Sequence, residues 1–192
     1  MVTFGGTGVM LLGIGLAGVG CALLALALSR PLGWLSALAI AGFLWSLAVI
    51  ALVTLVPTSP DTGFVPAESR MTTCSWDIGG PAPDGFWILQ SGQRTLNAAL
   101  FVPAGMLLVL AVARWRAGWV LAPLGLAGLA AYSALIEKTQ LELARIDRAC
   151  DVTDVIDNTA GAAIGAVLGL VAVAVLRPWR HRQRRTQVRR PS

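Results

Sequence analysis

The residues best suited to chemistry are carboxylates and carboxamides grouped in the last third of the chain. Glu137 and Gln140 are three positions apart, as are Asp151 and Asp154, and Asn158 follows four positions later. Residues three or four apart lie on one face of a helix, so each set presents its polar groups in one direction. Such groups could bind a charged or hydrogen-bonding head group, and the two aspartates could hold Mg²⁺ together with a phosphate.

Basic residues near this set leave two interpretations open. Arg148 precedes Asp151 by three positions, and Arg94 and Asn97 form another polar pair at the same spacing upstream. Arg148 could pair with Asp151 or Asp154 at the start of a helix, where acidic side chains are favourable. Alternatively, the same groups line an outward-facing polar pocket made by the third, fourth and fifth helices, which could receive a charged or hydrogen-bonding head group. In an enzyme acting on a lipid-linked phosphate, Arg148 could bind the phosphate with two hydrogen bonds. The predicted binding residues are Arg148, Asp151, Asp154, Asn158, Glu137, Gln140 and Asn97.

The sequence contains no evident set of residues for nucleophilic catalysis. Its only histidine is His181, in the basic tail, so no nucleophile and base are completed near the carboxylates. We therefore predict a binding protein with no cofactor and no metal, and we assign no catalytic residue. A membrane-embedded, metal-assisted enzyme acting on a lipid-linked phosphate is the alternative. A transporter is the second alternative, although no inverted repeat is evident.

The chain around these residues is suited to a membrane. Of its 192 residues, 56% are hydrophobic and 13% are charged, whereas about a quarter are charged in an ordinary soluble domain. Five stretches of 19 residues or more contain no Asp, Glu, Lys or Arg, which matches the roughly 20 apolar residues of a membrane-spanning helix. We predict an all-α membrane protein with a bundle of five transmembrane helices. They are expected near residues 7–28, 33–56, 95–113, 118–136 and 156–177.

The charges divide unequally between the two sides that these helices define. Alternating connections place ten basic and no acidic residues on one side, and five basic and ten acidic residues on the other. The positive-inside rule then puts the N-terminus outside and the C-terminus in the cytoplasm. The first helix lacks the positively charged start of a signal peptide, so we expect it to be retained. The basic tail fits a topology anchor, and we predict no nucleic-acid partner.

Two cysteines and two glycines bear on how the helices are held together. Cys74 lies in the outer connection and Cys150 at the outer mouth of the fifth helix, so a disulfide could join them, although spacing cannot establish it. Cys21 lies inside the first helix. Gly161 and Gly165 have a spacing that permits close approach of a neighbouring helix, and we predict that they serve helix packing.

Two separated blocks of residues carry a family resemblance. One runs Asn97-xxx-Phe101-x-Pro103-x-Gly105; the other runs Glu137-xx-Gln140, then Arg148-xx-Asp151-xx-Asp154-xxx-Asn158-xx-Gly161-xxx-Gly165. In these blocks the chain resembles the VanZ-like family of bacterial integral membrane proteins, over the third to fifth helices. Asp157 departs from the pattern, since an apolar residue would be usual there. It either adds a third carboxylate to the pocket or faces the lipid head groups.

The resemblance implies a multi-pass protein of the bacterial plasma membrane. Its family is named for a protein that accompanies glycopeptide-resistance clusters and raises tolerance to teicoplanin. An effect on the cell envelope or on glycopeptide susceptibility is therefore implied for this chain. The implied partners are membrane lipids, a lipid-linked cell-wall precursor or a lipoglycopeptide, and the oligomeric state is left open.

The sequence also predicts how the chain is divided. Residues 1–56 hold the first two helices, and residues 57–94 form an extracytoplasmic loop. Residues 95–177 form the VanZ-like core with the third to fifth helices. Residues 178–192 form a basic cytoplasmic tail.

Overall fold

The protein is a bundle of five helices in a computed structural model that describes residues 5–57, 73–78, 92–142 and 150–176. Each helix is long and apolar enough to span a membrane, and no strand forms within the described ranges. The predicted all-α fold with five transmembrane helices is therefore confirmed. Most of the predicted loop and the whole predicted tail lie outside the described residues. The helices are α1 (Thr7–Leu32), α2 (Trp34–Leu55), α3 (Gly92–Val112), α4 (Gly118–Glu142) and α5 (Val152–Leu176).

The helices extend beyond their charge-free stretches at one end of the bundle. α4 continues through Glu137 and Gln140, and α5 begins early enough to include Asp154 and Asp157. α3 likewise includes Arg94 in its first turn. Backbone hydrogen bonding keeps a helix intact through polar residues, so the helices do not end where the charges begin. The chemically interesting side chains are consequently held on regular helix.

Hydrogen bonds between the helix ends show which termini lie together. Arg114, just after α3, donates from Nη1 to the carbonyl oxygen of Leu32 at the end of α1. At the opposite end, the amide of Gly6 donates to the carbonyl oxygen of Pro57 over 2.8 Å. The Arg114 end comprises the α1–α2 and α3–α4 connections. The Asp157 end comprises the starts of α1, α3 and α5, the ends of α2 and α4, and the residues 73–78 and 150–151.

α1 and α2 form a hairpin at the edge of the bundle. They are joined by Gly33 alone, whose φ of 79° favours glycine because it has no Cβ. The indole nitrogen of Trp45 in α2 donates to the carbonyl oxygen of Ile14 in α1 over 3.1 Å. Among the five described helices, α1 packs against α2 only. Its leucines, Leu12 and Leu16 among them, are exposed, which suits contact with lipid chains.

Glycines set the close packing of α3 against α5, the most extensive helix contact in the bundle. A Cβ atom at Gly161 would overlap the carbonyl oxygen of Ala98, and one at Gly165 would overlap that of Val102. Gly105 of α3 meets α5 in the same way. Small residues allow helix backbones to approach closely in membrane bundles. Gly161 and Gly165 thus lie in the tightest part of the structure.

The apolar core lies among α2, α3, α4 and α5. Phe101 of α3 and Ile50 of α2 are fully buried at its centre. Leu129 and Ile136 contribute from α4, and Ala162 contributes from α5. The four helices that form this core therefore position the polar groups at the Asp157 end.

We expect Gly161→Ala and Gly165→Ala each to lower the free energy of unfolding by about 1–3 kcal/mol, the usual cost of overpacking. The atoms that a methyl group would meet are backbone atoms, so α3 and α5 would have to separate. Gly128→Ala is the matched control, because Gly128 of α4 has open space around its Cα. Unfolding titrations in detergent should show no loss for the control. Equal losses for all three variants would contradict this interpretation.

Candidate functional site

A cluster of polar side chains lies at the Asp157 end, among helices that are otherwise apolar. Ionisable and amide groups near a bilayer core are costly unless they are partnered. The structure gives most of these groups a partner on another helix. The polar cluster consists of Arg94, Ser133, Glu137, Gln140, Asp151, Thr153, Asp157 and Asn158.

An ion pair between Arg94 and Asp157 joins α3 to α5. Arg94 donates from Nε to Oδ2 over 2.8 Å and from Nη2 to Oδ1 over 2.9 Å. The side chain of Asp157 is 0% exposed and that of Arg94 is 12% exposed. Two parallel, charge-assisted hydrogen bonds fix both distance and orientation. The pair therefore sets how the first turns of α3 and α5 face each other.

This ion pair was missed at the sequence level. The sequence pattern predicts that Asp157 joins a pocket or faces the head groups, whereas the structure buries it against Arg94. Helical spacing relates Arg94 only to Asn97, its neighbour along α3. A usable signal did exist: two opposite charges stand at the same end of separate, otherwise apolar helices.

Asn158 connects α5 to α4 and keeps one polar atom without a partner. Its Nδ2 donates to Oγ of Ser133 over 2.9 Å. The residue is 5% exposed, and its Oδ1 is buried with no hydrogen-bond partner among the described residues. A buried polar atom without a hydrogen bond costs free energy, and such atoms are rare in folded proteins. Asn158 is therefore the member of the polar cluster best placed to accept a hydrogen bond from an outside group.

Glu137 and Gln140 are buried, and both bond to backbone groups. Gln140 donates from Nε2 to the carbonyl oxygen of Thr54, near the end of α2, over 2.9 Å. Oε2 of Glu137 accepts from the amide of Asp151, just before α5, over 3.3 Å. These two side chains thus hold α4 against its neighbours at the Asp157 end.

Asp151 caps the start of α5. Its Oδ1 accepts from the amide of Thr153 over 2.9 Å, which satisfies one of the free amides at the helix N-terminus. Oγ1 of Thr153 donates to the carbonyl oxygen of Asp77 over 3.2 Å. Asp154, in the first turn of α5, is half-buried, and the helix dipole favours a carboxylate there.

A disulfide between Cys74 and Cys150 fastens the connection between α2 and α3 to the start of α5. Beside it, the amide of Ser75 donates to the carbonyl oxygen of Cys150 over 2.8 Å, and the amide of Val152 donates to that of Ser75 over 3.1 Å. Cys21 is a free, partly buried thiol in α1. The segment of residues 73–78 is therefore held over the N-terminus of α5.

The structure brings most of the predicted binding residues to the Asp157 end. Asp151, Asp154, Asn158, Glu137 and Gln140 lie on α4, on α5 or just before it, and Asn97 is half-buried one turn after Arg94. Arg148 lies outside the described residues. In the part of the chain that the structure describes, no three His, Cys, Asp or Glu residues are grouped closely enough to hold a metal ion.

Comparison with known proteins gives one family. The model of the VanZ/LLP1 family matches residues 43–173, about two thirds of the chain, from within α2 to near the end of α5. This range includes the whole polar cluster and the glycine contact of α3 with α5. No curated protein matches the chain, and no solved structure does.

We expect Arg94→Met to destabilise the protein by about 3–5 kcal/mol, because it leaves the carboxylate of Asp157 buried without its partner. The double variant Arg94→Met with Asp157→Leu should recover most of that loss, since it removes both charges. Unfolding titrations in detergent provide the measurement. Lys138→Ala is the control: Lys138 and Glu142 are exposed and 3.9 Å apart, and such a pair contributes at most about 1 kcal/mol. If the double variant loses as much free energy of unfolding as the two single variants lose together, Arg94 and Asp157 are not a coupled pair.

Peptide mapping without reduction should recover Cys74 and Cys150 in one cross-linked species, because the structure joins them. Cys21 should be the only cysteine that iodoacetamide alkylates after denaturation without a reductant. Reduction before alkylation should label all three. Recovery of alkylated Cys74 from unreduced protein would contradict the disulfide.

Proposed function

The chain belongs to the VanZ/LLP1 family, and from that premise we propose that the polar cluster binds the head group of a lipid or another amphiphile. Through this binding the protein would affect the cell envelope or the susceptibility of the cell to glycopeptides of the teicoplanin type. The chain is a multi-pass membrane protein, with five helices long and apolar enough to span the bilayer. We further propose that this bilayer is the bacterial plasma membrane.

The distribution of charge supports an outward-facing position for the polar cluster. Among the described residues, the Asp157 end carries six acidic and two basic side chains, and the Arg114 end carries three arginines and no acidic side chain. Basic residues are retained on the cytoplasmic side of membrane proteins. The Asp157 end would therefore face outside, where cell-wall precursors and antibiotics are encountered.

The unpartnered oxygen of Asn158 is the observation that carries the proposal. The bundle buries this atom and supplies it with no donor among the described residues, although the opposite end of the same amide bonds to Ser133. A ligand hydroxyl, amine or amide could supply the missing hydrogen bond. Without a ligand, this buried oxygen costs free energy because it has no hydrogen bond. A ligand that supplies the bond would remove that cost, and the gain would favour binding.

The neighbouring residues suit a polar head group in two different roles. Arg94 with Asp157, Gln140 with Thr54 and Glu137 with Asp151 are mutually bonded. They would position the site rather than contact the ligand. Asp154 and Asn97 are half-buried and offer a carboxylate and a carboxamide to amines or hydroxyls of the head group. Lipid-linked cell-wall precursors and lipoglycopeptides carry such amines and hydroxyls, and the family resemblance implies both as partners.

The metal-assisted enzyme and the transporter remain alternative hypotheses. For the enzyme, Asp151 and Asp154 would be the Mg²⁺ ligands, yet Oδ1 of Asp151 is engaged by the amide of Thr153 as a helix cap. Phosphate release from undecaprenyl pyrophosphate in the presence of Mg²⁺ would favour the enzyme over a binding protein.

We expect the melting temperature of the purified protein to rise in the presence of a ligand, because a ligand that binds only the folded state stabilises it. The probes are undecaprenyl pyrophosphate, phosphatidylethanolamine and teicoplanin, each compared with detergent alone. At a concentration of about 100 times the Kd, the stabilisation should be about 2.7 kcal/mol. Asn158→Leu should remove this rise, and Asp154→Asn should reduce it.

Ser36→Ala is the matched control for Asn158→Leu. Oγ of Ser36 is also buried without a partner among the described residues, but Ser36 lies in α2 near the Arg114 end. The control should keep the full ligand-induced rise. If wild type, Asn158→Leu and Asp154→Asn respond identically to every probe, the proposed site is wrong.

A further inference from the structure

The Arg114 end concentrates positive charge that the described residues do not neutralise. Arg30 lies in the last turn of α1, and Arg114 and Arg116 lie in the short connection between α3 and α4. All the acidic side chains that the structure describes belong to the Asp157 end. The side chains of Arg30 and Arg116 are exposed, and neither forms a hydrogen bond or an ion pair with another described residue.

A hydrogen bond joins the connection that carries Arg114 and Arg116 to the end of α1, which carries Arg30. Arg114 reaches across from α3 and donates to the carbonyl oxygen of Leu32, two residues after Arg30. One nitrogen of Arg114 is used in this way, and its guanidinium carbon lies 5.6 Å from the ring centroid of Trp115. Arg114 therefore anchors the connection to the end of α1 and holds its neighbour Arg116 on the same end of the bundle.

Three exposed tryptophans lie at the same end of the bundle as the arginines. Trp34 starts α2, Trp115 lies between the arginines of the connection, and Trp119, in the first turn of α4, is 80% exposed. Tryptophan is enriched where a membrane protein passes from hydrocarbon to head groups, because its ring is apolar and its N–H is a donor. Rings of this kind favour the boundary between hydrocarbon and head groups, so the Arg114 end would lie close to the lipid phosphates.

We propose that Arg30, Arg114 and Arg116, with Trp115 and Trp119, form a binding site for the phosphate of an anionic phospholipid. Guanidinium groups bind phosphate oxygens with two parallel hydrogen bonds. The tryptophans would lie against the glycerol and the upper acyl chains of the same lipid. This site is separate from the polar cluster of the proposed function, because it lies at the opposite end of the helices.

A phospholipid fits these observations better than a soluble anion. The arginines stand at the ends of spanning helices, where the local concentration of lipid phosphate is high. Exposed indole rings would contribute nothing to the binding of free phosphate, and they would be an unfavourable apolar surface in water. A lipid uses both features at once, the cationic groups through its phosphate and the rings through its apolar part.

The test is competitive lipid binding to the full-length protein in detergent, measured by native mass spectrometry with equal amounts of phosphatidylglycerol and phosphatidylcholine. Wild type should retain phosphatidylglycerol preferentially. Because each arginine near an anionic lipid surface contributes about fivefold, the double variant Arg30→Gln with Arg116→Gln should lower this preference by about 25-fold. Both residues are exposed, so the melting temperature should be unchanged.

Two controls separate a built site from general attraction by charge. Arg189→Gln with Arg190→Gln removes the same charge from the basic tail and should keep most of the preference. Trp119→Leu retains every charge and should lower the retention of both phospholipids without changing the preference, because the ring would lie against the glycerol and acyl chains that both lipids share. If Arg30→Gln with Arg116→Gln is not recovered in folded form, Arg116→Gln alone should lower it by about fivefold.

Three results would overturn the proposal. The first is an equal loss of preference in the tail variant and in the Arg30 and Arg116 variant. The second is release of phosphatidylglycerol by an equal concentration of glycerol 3-phosphate, because the site would then recognise a soluble phosphate. The third is release by a short single-stranded oligonucleotide, which would identify a nucleic-acid surface.

Discussion

An ionisable side chain inside a bilayer is costly unless it is paired with an opposite charge, and the arrangement of this bundle depends on that constraint. Arg94 and Asp157 are 63 positions apart in the chain, and they meet because neither can be left alone among apolar helices. Their pairing brings the starts of α3 and α5 together. The glycines of both helices continue the contact along the bundle, since only small residues fit between the backbones. α4 is then added through Asn158 and Ser133.

Most of the polar side chains at the Asp157 end therefore serve to hold the helices together, and few polar atoms remain for a ligand to contact. Glu137 and Gln140 are predicted binding residues, but each is buried and bonded to the backbone of a neighbouring segment. Asn158 differs, because its amide has a partner at one end only. A site of this kind combines rigid surroundings with one unsatisfied atom, and such preorganisation lowers the cost of binding.

The sequence predicted the five helices, the family and the polar residues of the Asp157 end, because charge-free length and helical spacing are local properties. It did not predict the ion pair, because contacts between helices depend on which helices are neighbours. Spacing related Arg94 to Asn97 within one helix, whereas its partner Asp157 lies on α5. For the same reason, the sequence left the bond between Cys74 and Cys150 open. Arg148, which lies outside the described residues, remains a prediction.

The disulfide has a consequence for the biogenesis of the protein. The bond joins a cysteine that follows α2 to one that precedes α5, so the covalent ring it closes contains the whole of α3 and α4. In the folded bundle the two sulfurs lie at one end, with α3 and α4 running between them in opposite directions. We therefore expect the native bond to form once this hairpin has been inserted. A protease that cuts the chain between Cys74 and Cys150 would leave its two parts joined by the bond.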